Sequence, residues 1–203
     1  MQKLLVILAC FLAATCVSQA GFKAGPFVGY TLAGDVEEPG AALGGQVIYA
    51  FNDYVSLELA LYQFSDKPKY SETEEGYTYT TEFDMTVTPI TLMLRGSVPL
   101  GDQFGLYAGL GAGYFMIDAD SSTKNLPPGV SYDYQLDDGK GVILALGAEY
   151  EVVKNVELFA EFRYSITTYP SSWTWVEGGM TYSGDDNERY DYGLLRVGAN
   201  WKF

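Results

Sequence analysis

The chain has 203 residues, with 26 acidic against 12 basic side chains and a net charge of −14. Because nucleic acids are bound through clustered Lys and Arg, this balance argues against a nucleic-acid partner. The sequence contains no His, which removes the usual general base, Ser–His–Asp arrangements and His-based zinc sites. We therefore expect a protein that is not an enzyme and uses no cofactor, and the sequence identifies no particular metal ligand. A hydrolase that uses only carboxylates is the enzymatic class left open, but paired acids in loops are too common to support it.

Residues 1–20 are typical of a secretory signal peptide. Lys3 gives a positive start, residues 4–14 form an apolar core, and a small-x-small cleavage site ends at Ala20. The apolar core is too short to span a bilayer as a helix. Lipoprotein processing at Cys16 is the alternative, although the Thr that precedes this Cys fits it poorly.

Residues 21–203 are expected to form one mature domain. Both cysteines precede this range, so the mature chain would contain no disulfide. Loss of Lys3 with the signal peptide leaves 11 basic and 26 acidic residues, a net charge of −15. The mature sequence also lacks an apolar run of about 18 residues, so it predicts no transmembrane helix. A closed barrel is the other structure that satisfies every backbone group in lipid.

Eight segments of the mature sequence alternate between apolar and polar residues. A period of two residues places each set of side chains on one face of a strand. The apolar faces are Val28, Tyr30 and Leu32; Leu43, Val47, Tyr49 and Phe51; Val55, Leu57, Leu59 and Leu61; Ile90, Leu92 and Leu94; Leu106, Ala108, Leu110, Ala112 and Tyr114; Val142, Leu144, Leu146, Ala148 and Tyr150; Val156, Leu158, Ala160, Phe162 and Tyr164; and Leu195, Val197, Ala199, Trp201 and Phe203.

The connections between these segments alternate in length. Residues 65–82, 118–140 and 167–188 are long polar stretches that we interpret as loops, whereas the turns near residues 52–53 and 154–155 are short. Short turns at one end, long loops at the other and an uncharged outer face are typical of transmembrane barrels. We therefore predict an all-β, eight-stranded antiparallel up-and-down transmembrane β-barrel. A soluble periplasmic ligand-binding barrel is the alternative, and it would carry a polar outer face.

Pro89 coincides with a change of parity in the fourth segment. Phe83, Met85 and Val87 alternate in the opposite phase to Ile90 and the apolar residues that follow it. Because proline cannot donate to a strand ladder, we interpret this position as a β-bulge that shifts the register.

Aromatic residues near the segment ends predict two girdles at the membrane interfaces. For any single tyrosine, packing against a neighbouring strand is the alternative. The predicted periplasmic girdle contains Phe51, Tyr54, Phe104, Tyr150, Trp201 and Phe203, and the predicted outer girdle contains Tyr30, Tyr114, Tyr164 and Tyr192.

The last eight residues, RVGANWKF, form an amphipathic strand that ends on an aromatic side chain. This ending resembles the terminal targeting signal of bacterial outer-membrane barrels. The resemblance implies that Gly198, Trp201 and Phe203 are read by the barrel-insertion machinery. An ordinary edge strand that happens to end the domain is the alternative.

The mature chain as a whole resembles the small eight-stranded outer-membrane barrels of the OmpA transmembrane-domain, OmpX and OmpW type. The resemblance rests on VTPITLMLRGSVPLGDQFGLYAGLGAGYF (87–115), GAEYEVVKNVELFAEFRYS (147–165) and the terminal GANWKF. It implies an integral protein of the bacterial outer membrane with both termini in the periplasm. Its partners would be outer-membrane lipid or lipopolysaccharide and, during biogenesis, the barrel-assembly machinery.

The inward faces of the predicted strands carry charged residues. An eight-stranded barrel is just wide enough for its inward side chains to fill it, and isolated buried charges are costly. We therefore predict an internal ion network, with Glu58 paired to Arg95 and Glu161 paired to Arg163 and Arg196. Its eight members are Glu58, Arg95, Glu149, Glu157, Glu161, Arg163, Arg196 and Lys202. Such a network is either a plug of satisfied charges or the lining of a narrow gated channel.

The predicted function is structural or surface-interacting, of the adhesin kind, with an extracellular ligand bound through the long loops. An OmpW-like conduit for small molecules is the alternative. Candidate loop aromatics are Tyr77, Tyr79, Tyr169, Trp173 and Trp175. The loop acids are Asp35, Glu37, Glu38, Glu72, Glu74, Glu75, Asp137, Asp138, Asp185, Asp186 and Glu188. These acids form either a solvated surface or a site for divalent cations, and their spacing matches no calcium-binding loop.

Overall fold

The computed structural model describes residues 21–33, 40–67, 69–74, 77–126 and 129–203. The predicted signal peptide lies outside these residues, as do Asp35, Glu37, Glu38 and Glu75. The side chains of Glu72, Glu74, Tyr77 and Tyr79 lie outside the description as well. No helix in the described ranges is long and apolar enough to cross a membrane.

Ten β-strands make up the described chain. They are β1 (Phe22–Ala33), β2 (Ala41–Ala50), β3 (Val55–Asp66), β4 (Lys69–Glu74), β5 (Tyr77–Pro99), β6 (Phe104–Lys124), β7 (Val130–Leu136), β8 (Gly139–Val153), β9 (Val156–Glu177) and β10 (Met180–Lys202). Eight of them close a ring in the order β1-β2-β3-β5-β6-β8-β9-β10, and β10 then pairs with β1. All pairings are antiparallel, which confirms the predicted eight-stranded barrel.

The outer surface of the ring is apolar. Leu43 is 67 % exposed and Leu146 is 64 % exposed, whereas Glu58 and Arg163 on the inner face are 0 % exposed. A protein that folds in water buries its leucines, so this inverted arrangement fits a ring surrounded by lipid. The predicted apolar faces of all eight ring strands therefore point outward, as the period of two residues indicated.

The first described residues (21 and 22), the last residues and the short turns lie at one end of the ring, which we call the turn end. The backbone N–H of Phe203 donates to the carbonyl oxygen of Phe22 at 3.0 Å, so the first and last strands meet there. The outward aromatics of the predicted girdles are exposed. Tyr192 is the exception, because it is 1 % exposed and faces the interior. Its assignment to the outer girdle was wrong, since it has the parity of Leu194 and Arg196 rather than that of Leu195.

The three long connections are mostly strands rather than loops, which corrects the interpretation of residues 65–82, 118–140 and 167–188. β5 and β6 pair from Thr80↔Lys124 toward the turn end, and β9 and β10 pair from Met180↔Glu177 toward the turn end. β4 and β7 extend these hairpins by pairing with β5 and β9. The stretches are rich in Tyr, Thr and Trp, which favour extended structure. The prediction of loops gave more weight to their polar residues than to this preference.

We call the extension beyond the ring the protruding sheet. In β10 it consists of residues 180–191, which pair with β9, whereas residues 192–202 pair with both β9 and β1. At about 3.3 Å per residue, twelve residues correspond to roughly 40 Å of strand.

Pro89 is not a bulge. Leu61 pairs with Ile90 and Phe64 pairs with Val87, so equal numbers of residues separate the two pairs on β3 and β5. The β5–β6 register also runs unbroken through Pro89↔Phe115. Odd-numbered residues of β5 face inward on both sides of Pro89, and this inner face changes from polar at Thr91 and Arg95 to apolar at Val87, Met85 and Phe83, toward the protruding sheet.

Candidate functional site

The inner face of the ring brings charged residues from four strands to one level. Glu58 lies on β3, Arg95 on β5, Glu161 and Arg163 on β9, and Arg196 on β10. Arg196 and Glu161 are direct cross-strand partners. We call these five residues the central ion cluster.

Glu58 is the acid that holds all three arginines together. Its Oε1 accepts from Nη2 of Arg163 at 2.5 Å and from Nη2 of Arg196 at 2.9 Å. Its Oε2 accepts from Nη1 of Arg95 at 3.4 Å. Since Glu58 is fully buried, these bonds replace the water that its carboxylate would otherwise need.

Glu161 is bound equally tightly on the other side of the cluster. Arg196 makes a bidentate contact with it, at 2.6 Å from Nε and 2.8 Å from Nη2. Nε of Arg163 donates at 2.9 Å and the hydroxyl of Tyr107 donates at 3.0 Å. Planar guanidinium groups suit such two-point contacts with carboxylates.

Tyr107 was not among the predicted site residues. Its ring lies 3.6 Å from the guanidinium carbon of Arg95, a cation–π contact. Gly147 makes room for this ring, because a Cβ there would lie 2.3 Å from the ring of Tyr107. The inward parity of Tyr107 on β6 was the available signal, but the prediction considered only charged residues.

A second group of charges lies between the central ion cluster and the turn end, and we call it the rim cluster. Nζ of Lys23 donates to Glu157 at 2.8 Å and lies 3.7 Å from Glu149. Lys202 lies 3.3 Å from Glu157 and pairs with Glu151. Lys23 and Glu151 were missed by the prediction, although both occupy inward positions on strands that continue past the predicted segment bounds.

Arg95 connects the two clusters. Its Nη2 donates to Oε2 of Glu149 at 3.0 Å while its Nη1 contacts Glu58. The structure therefore brings all eight predicted interior residues into two linked groups of ion pairs, including the three pairs that were named from the sequence.

An aromatic plug fills the interior on the other side of the central ion cluster. The hydroxyls of Tyr62 and Tyr192 lie 3.0 Å apart, and the rings of Phe64 and Tyr192 are 4.8 Å apart between centroids. Phe115 packs against Tyr192 at 6.3 Å. All four side chains are buried, so apolar and aromatic groups occupy this level of the lumen.

A vestibule of about 500 Å³ lies at the turn end. Its walls include Lys23, Arg95, Glu149 and Glu157, and its mouth is formed by turn residues such as Asp102. Its inner wall is therefore part of the ion pairs just described. Within the described ranges, no group of three or more acidic, Cys or His residues could hold a metal ion.

The C-terminal strand presents its aromatics to the outside of the ring. Trp201 and Phe203 are about half exposed, at 47 % and 46 %. Gly198 faces inward, where a Cβ would lie 2.4 Å from the carbonyl oxygen of Pro26 and 2.7 Å from the ring of Phe159. Gly198 thus has a packing role in the ring, and the role of the three residues in insertion stays a prediction.

An eight-stranded antiparallel ring with a charged, buried inside and an apolar outside defines a transmembrane β-barrel of the outer-membrane class. The chain belongs to the outer membrane protein β-barrel domain family, whose match covers residues 4–203.

Solved structures show the same fold. The outer membrane protein OprG from Pseudomonas aeruginosa superposes with a TM-score of 0.61 at 20% identity, covering 91% of this chain and 97% of that one. Neisserial surface protein A gives a TM-score of 0.61 at 16% identity, covering 91% and 98%. A major outer membrane protein from Thermus thermophilus gives 0.58 at 13% identity, covering 90% and 99%. No curated protein sequence matches the chain.

Proposed function

We propose that the protein is a closed outer-membrane barrel that works as a surface-interaction protein through its protruding sheet. The observation that carries the proposal is the blocked lumen. The central ion cluster and the aromatic plug occupy successive levels of it, with Arg163, Arg196 and Phe115 at most 1 % exposed. A barrel filled in this way anchors the structures at its ends.

The protruding sheet supports an interaction role. On its β7 and β9 strands, the rings of Tyr132 and Trp175 lie 5.9 Å apart and those of Tyr132 and Tyr134 lie 6.2 Å apart. Next to them on β10, Tyr182 is the cross-strand partner of Trp175 and is 49 % exposed. Rigid, partly exposed aromatics on a stiff sheet are the residues that protein-binding surfaces favour.

The proposal includes an orientation, with the turn end and both termini in the periplasm and the protruding sheet outside the cell. Mature residues contain no cysteine if the signal peptide is removed, so single cysteines report the side of the membrane. A membrane-impermeant maleimide should label Thr181→Cys, at an exposed position of the protruding sheet, in intact cells. Asp102→Cys, at the opposite end, should react only after the outer membrane is permeabilised. The reverse pattern would overturn the orientation.

The proposed surroundings follow from the same arrangement. The apolar outer band would contact outer-membrane lipid and the lipid part of lipopolysaccharide.

Trp201 and Phe203, exposed on the last strand, support recognition of that strand by the barrel-assembly machinery. Truncation of Phe203 should then lower the amount of folded barrel in the membrane, whereas Trp173→Phe in the protruding sheet should leave it unchanged. Equal amounts of both variants would contradict the assignment.

The surface role is tested with whole cells and a shortened hairpin. Deletion of residues 172–185 removes the outer part of β9 and β10 and leaves the ring pairs of residues 192–202 in place. Cells producing the full chain should be retained on plates coated with fibronectin, laminin or collagen, and cells with the shortened hairpin should be lost. The amount of protein at the surface serves as the control. Equal retention on all three coatings would overturn the role.

A narrow conduit is the second candidate, and the 500 Å³ vestibule that reaches Arg95 is the observation in its favour. The purified protein in planar bilayers distinguishes the two. A closed barrel gives no single-channel steps, with or without Arg95→Ala. Steps in the wild type that change in size with Arg95→Ala would favour the conduit and overturn the closed barrel.

A further inference from the structure

A buried carboxylate lies at the mouth of the barrel, opposite the turn end. Asp66 is the last residue of β3, at the level where the ring ends and the protruding sheet starts, and it is 0 % exposed. The hydroxyl of Thr31 donates to its Oδ1 at 2.8 Å, and the backbone N–H of Gly40 donates to the same atom at 2.9 Å. The hydroxyl of Tyr190 donates to its Oδ2 at 2.9 Å. All three donors are neutral.

Asp66 therefore differs from the acids of the central ion cluster, each of which is paired with arginine. Among the described side chains, no Lys or Arg forms an ion pair with it, and the adjacent Lys67 contacts Asp84 at 3.3 Å instead. The undescribed residues 34–39 (GDVEEP) contain three acids and no basic residue. A buried carboxylate without an opposite charge is costly even when neutral groups donate to it. A bound cation would remove this cost.

The groups around Asp66 are oxygen ligands. The hydroxyl of Thr31 lies 3.2 Å from the carbonyl oxygen of Gly40, and both adjoin Oδ1 of Asp66. Glycine permits this close approach, because a Cβ at residue 40 would lie 2.0 Å from the carbonyl oxygen of Ser65 and 2.7 Å from Oδ1 of Asp66. Carboxylate, hydroxyl and carbonyl oxygens are the ligands that hard cations prefer.

Tyr169 gives a second, independent indication of a ligand. It is 2 % exposed, and its hydroxyl has no hydrogen-bond partner among the described residues. Glu188 pairs with Tyr169 and Tyr190 pairs with Thr167, so the two tyrosines are diagonal neighbours on one face of β9 and β10. Burial raises the pKa of Tyr169 above its ordinary value, and the carboxylate of Asp66 adds to this rise. A buried hydroxyl oxygen without a partner can still give a lone pair to a cation.

We propose that the mouth of the barrel binds one monovalent alkali cation, such as Na⁺, on the carboxylate of Asp66. The hydroxyls of Thr31, Tyr169 and Tyr190 would complete the ligand set. A single carboxylate and a single positive charge form a neutral pair, whereas a divalent ion would leave an excess of positive charge in the same buried space. The bound ion would join β1, β3, β9 and β10 at the border between the ring and the protruding sheet.

The direct test uses the mature barrel in phosphatidylcholine nanodiscs. NaCl replaces choline chloride at constant ionic strength, since choline is too large to fit among these oxygens. The amide of Gly40 is a local probe because it donates to Asp66, so its NMR chemical shift should change saturably with Na⁺. The amide of Gly101, in a turn at the other end of the ring, should not change. No saturable change at Gly40, or the same change at both amides, would overturn the site.

Matched variants separate the site from a general effect of salt. Na⁺ at about four times its dissociation constant should raise the folding equilibrium constant of the wild type about fivefold, as measured by urea unfolding in lipid vesicles. Asp66→Asn should not respond to Na⁺, and in choline chloride it should be at least as stable as the wild type, because it buries no charge. Asp84→Asn removes an exposed carboxylate and should keep the full response. Equal responses of the two variants would overturn the proposal.

Two further variants identify the ligands and the source of the charge. Tyr169→Phe loses no hydrogen bond among the described residues, so its stability in choline chloride should equal that of the wild type. The Na⁺ concentration that gives half of the effect should rise roughly tenfold, as when one supporting group of a metal site is lost. Lys69→Gln should leave the Na⁺ response unchanged. A wild type without a response, together with a response in Lys69→Gln, would show that this lysine supplies the charge and would overturn the proposal.

Discussion

The ring and the protruding sheet are built from the same strands, but apolar side chains face outward in the ring and inward in the protruding sheet. On β5, Leu92 and Leu94 point outward within the ring, whereas Phe83, beyond the last pair with β3, points inward. The strand does not change its register between them. What changes is the solvent, from lipid around the ring to water around the protruding sheet.

The two interiors differ accordingly. The ring encloses the central ion cluster, whose three arginines are at most 2 % exposed. Where the protruding sheet starts, the interior is instead filled by buried aromatic and aliphatic side chains. Because the outer face of the ring must be apolar in lipid, polar residues can occupy its inside only when they satisfy one another. The burial pattern of a strand therefore depends on the medium that contacts each face of the sheet.

The largest effect should come from breaking the ring interior. Glu58→Gln keeps the shape of the side chain but leaves three buried arginines without their shared carboxylate. We expect a loss of about 3–5 kcal/mol in the free energy of unfolding. Urea unfolding in lipid vesicles, followed by Trp fluorescence, measures it.

The control for this variant is Arg189→Gln, which removes a solvent-exposed ion pair of the protruding sheet. Its unfolding curve should overlay that of the wild type. Similar unfolding midpoints for Glu58→Gln and Arg189→Gln would show that the central ion cluster does not stabilise the ring.

Arginine substitutions on the outer face locate the boundary between lipid and water. Leu144→Arg places a charge on the apolar band and should cost about 2–4 kcal/mol. Ser122→Arg makes a comparable change on the outward face of β6 beyond the ring, where the cost should be within about 0.5 kcal/mol. Heat-modifiable gel migration shows whether each variant folds, and urea unfolding measures its loss of stability. A small cost at Leu144 would mean that water, not lipid, contacts this face.

A smaller effect is expected inside the aromatic plug. Tyr192→Phe removes the hydroxyl that lies 3.0 Å from the hydroxyl of Tyr62, both of them buried. We expect a loss of about 1 kcal/mol, the usual net value of a buried hydrogen bond. Tyr182→Phe, on the exposed part of β10, should not change stability. Loss of equal size in both variants would argue against a packed plug.

The smallest effect concerns a single pKa beyond the ring. The hydrogen bond from the Arg189 guanidinium holds the pKa of the Asp191 carboxyl below its ordinary value. A lowered folded-state pKa stabilises the fold above the ordinary pKa, and this contribution disappears as the pH falls through the folded value. Arg189→Gln should move the pKa of Asp191 upward, as measured by carbon-13 NMR of its carboxyl group. An unchanged titration midpoint would show that the pair does not form in solution.

Much of the ring followed from the sequence alone. The two-residue period assigned the outward face of every ring strand, because in lipid only an unbroken apolar face is tolerated. The same parity placed Glu58, Arg95, Glu161, Arg163 and Arg196 inside, and the cost of isolated charge required them to pair. These inferences need only local alternation and the identity of the solvent on each side.

The tertiary structure decided what local alternation leaves open. Which acid meets which base depends on how the strands are staggered around the ring, so the sharing of Glu58 by three arginines and the bridge from Arg95 to Glu149 came from the fold. The polar connections looked like loops, and only pairing across β5–β6 and β9–β10 made them strands. A polar segment can form either a strand or a loop. Which of the two it forms depends on whether another strand pairs with it, and that strand can be distant in the sequence or lie across a hairpin.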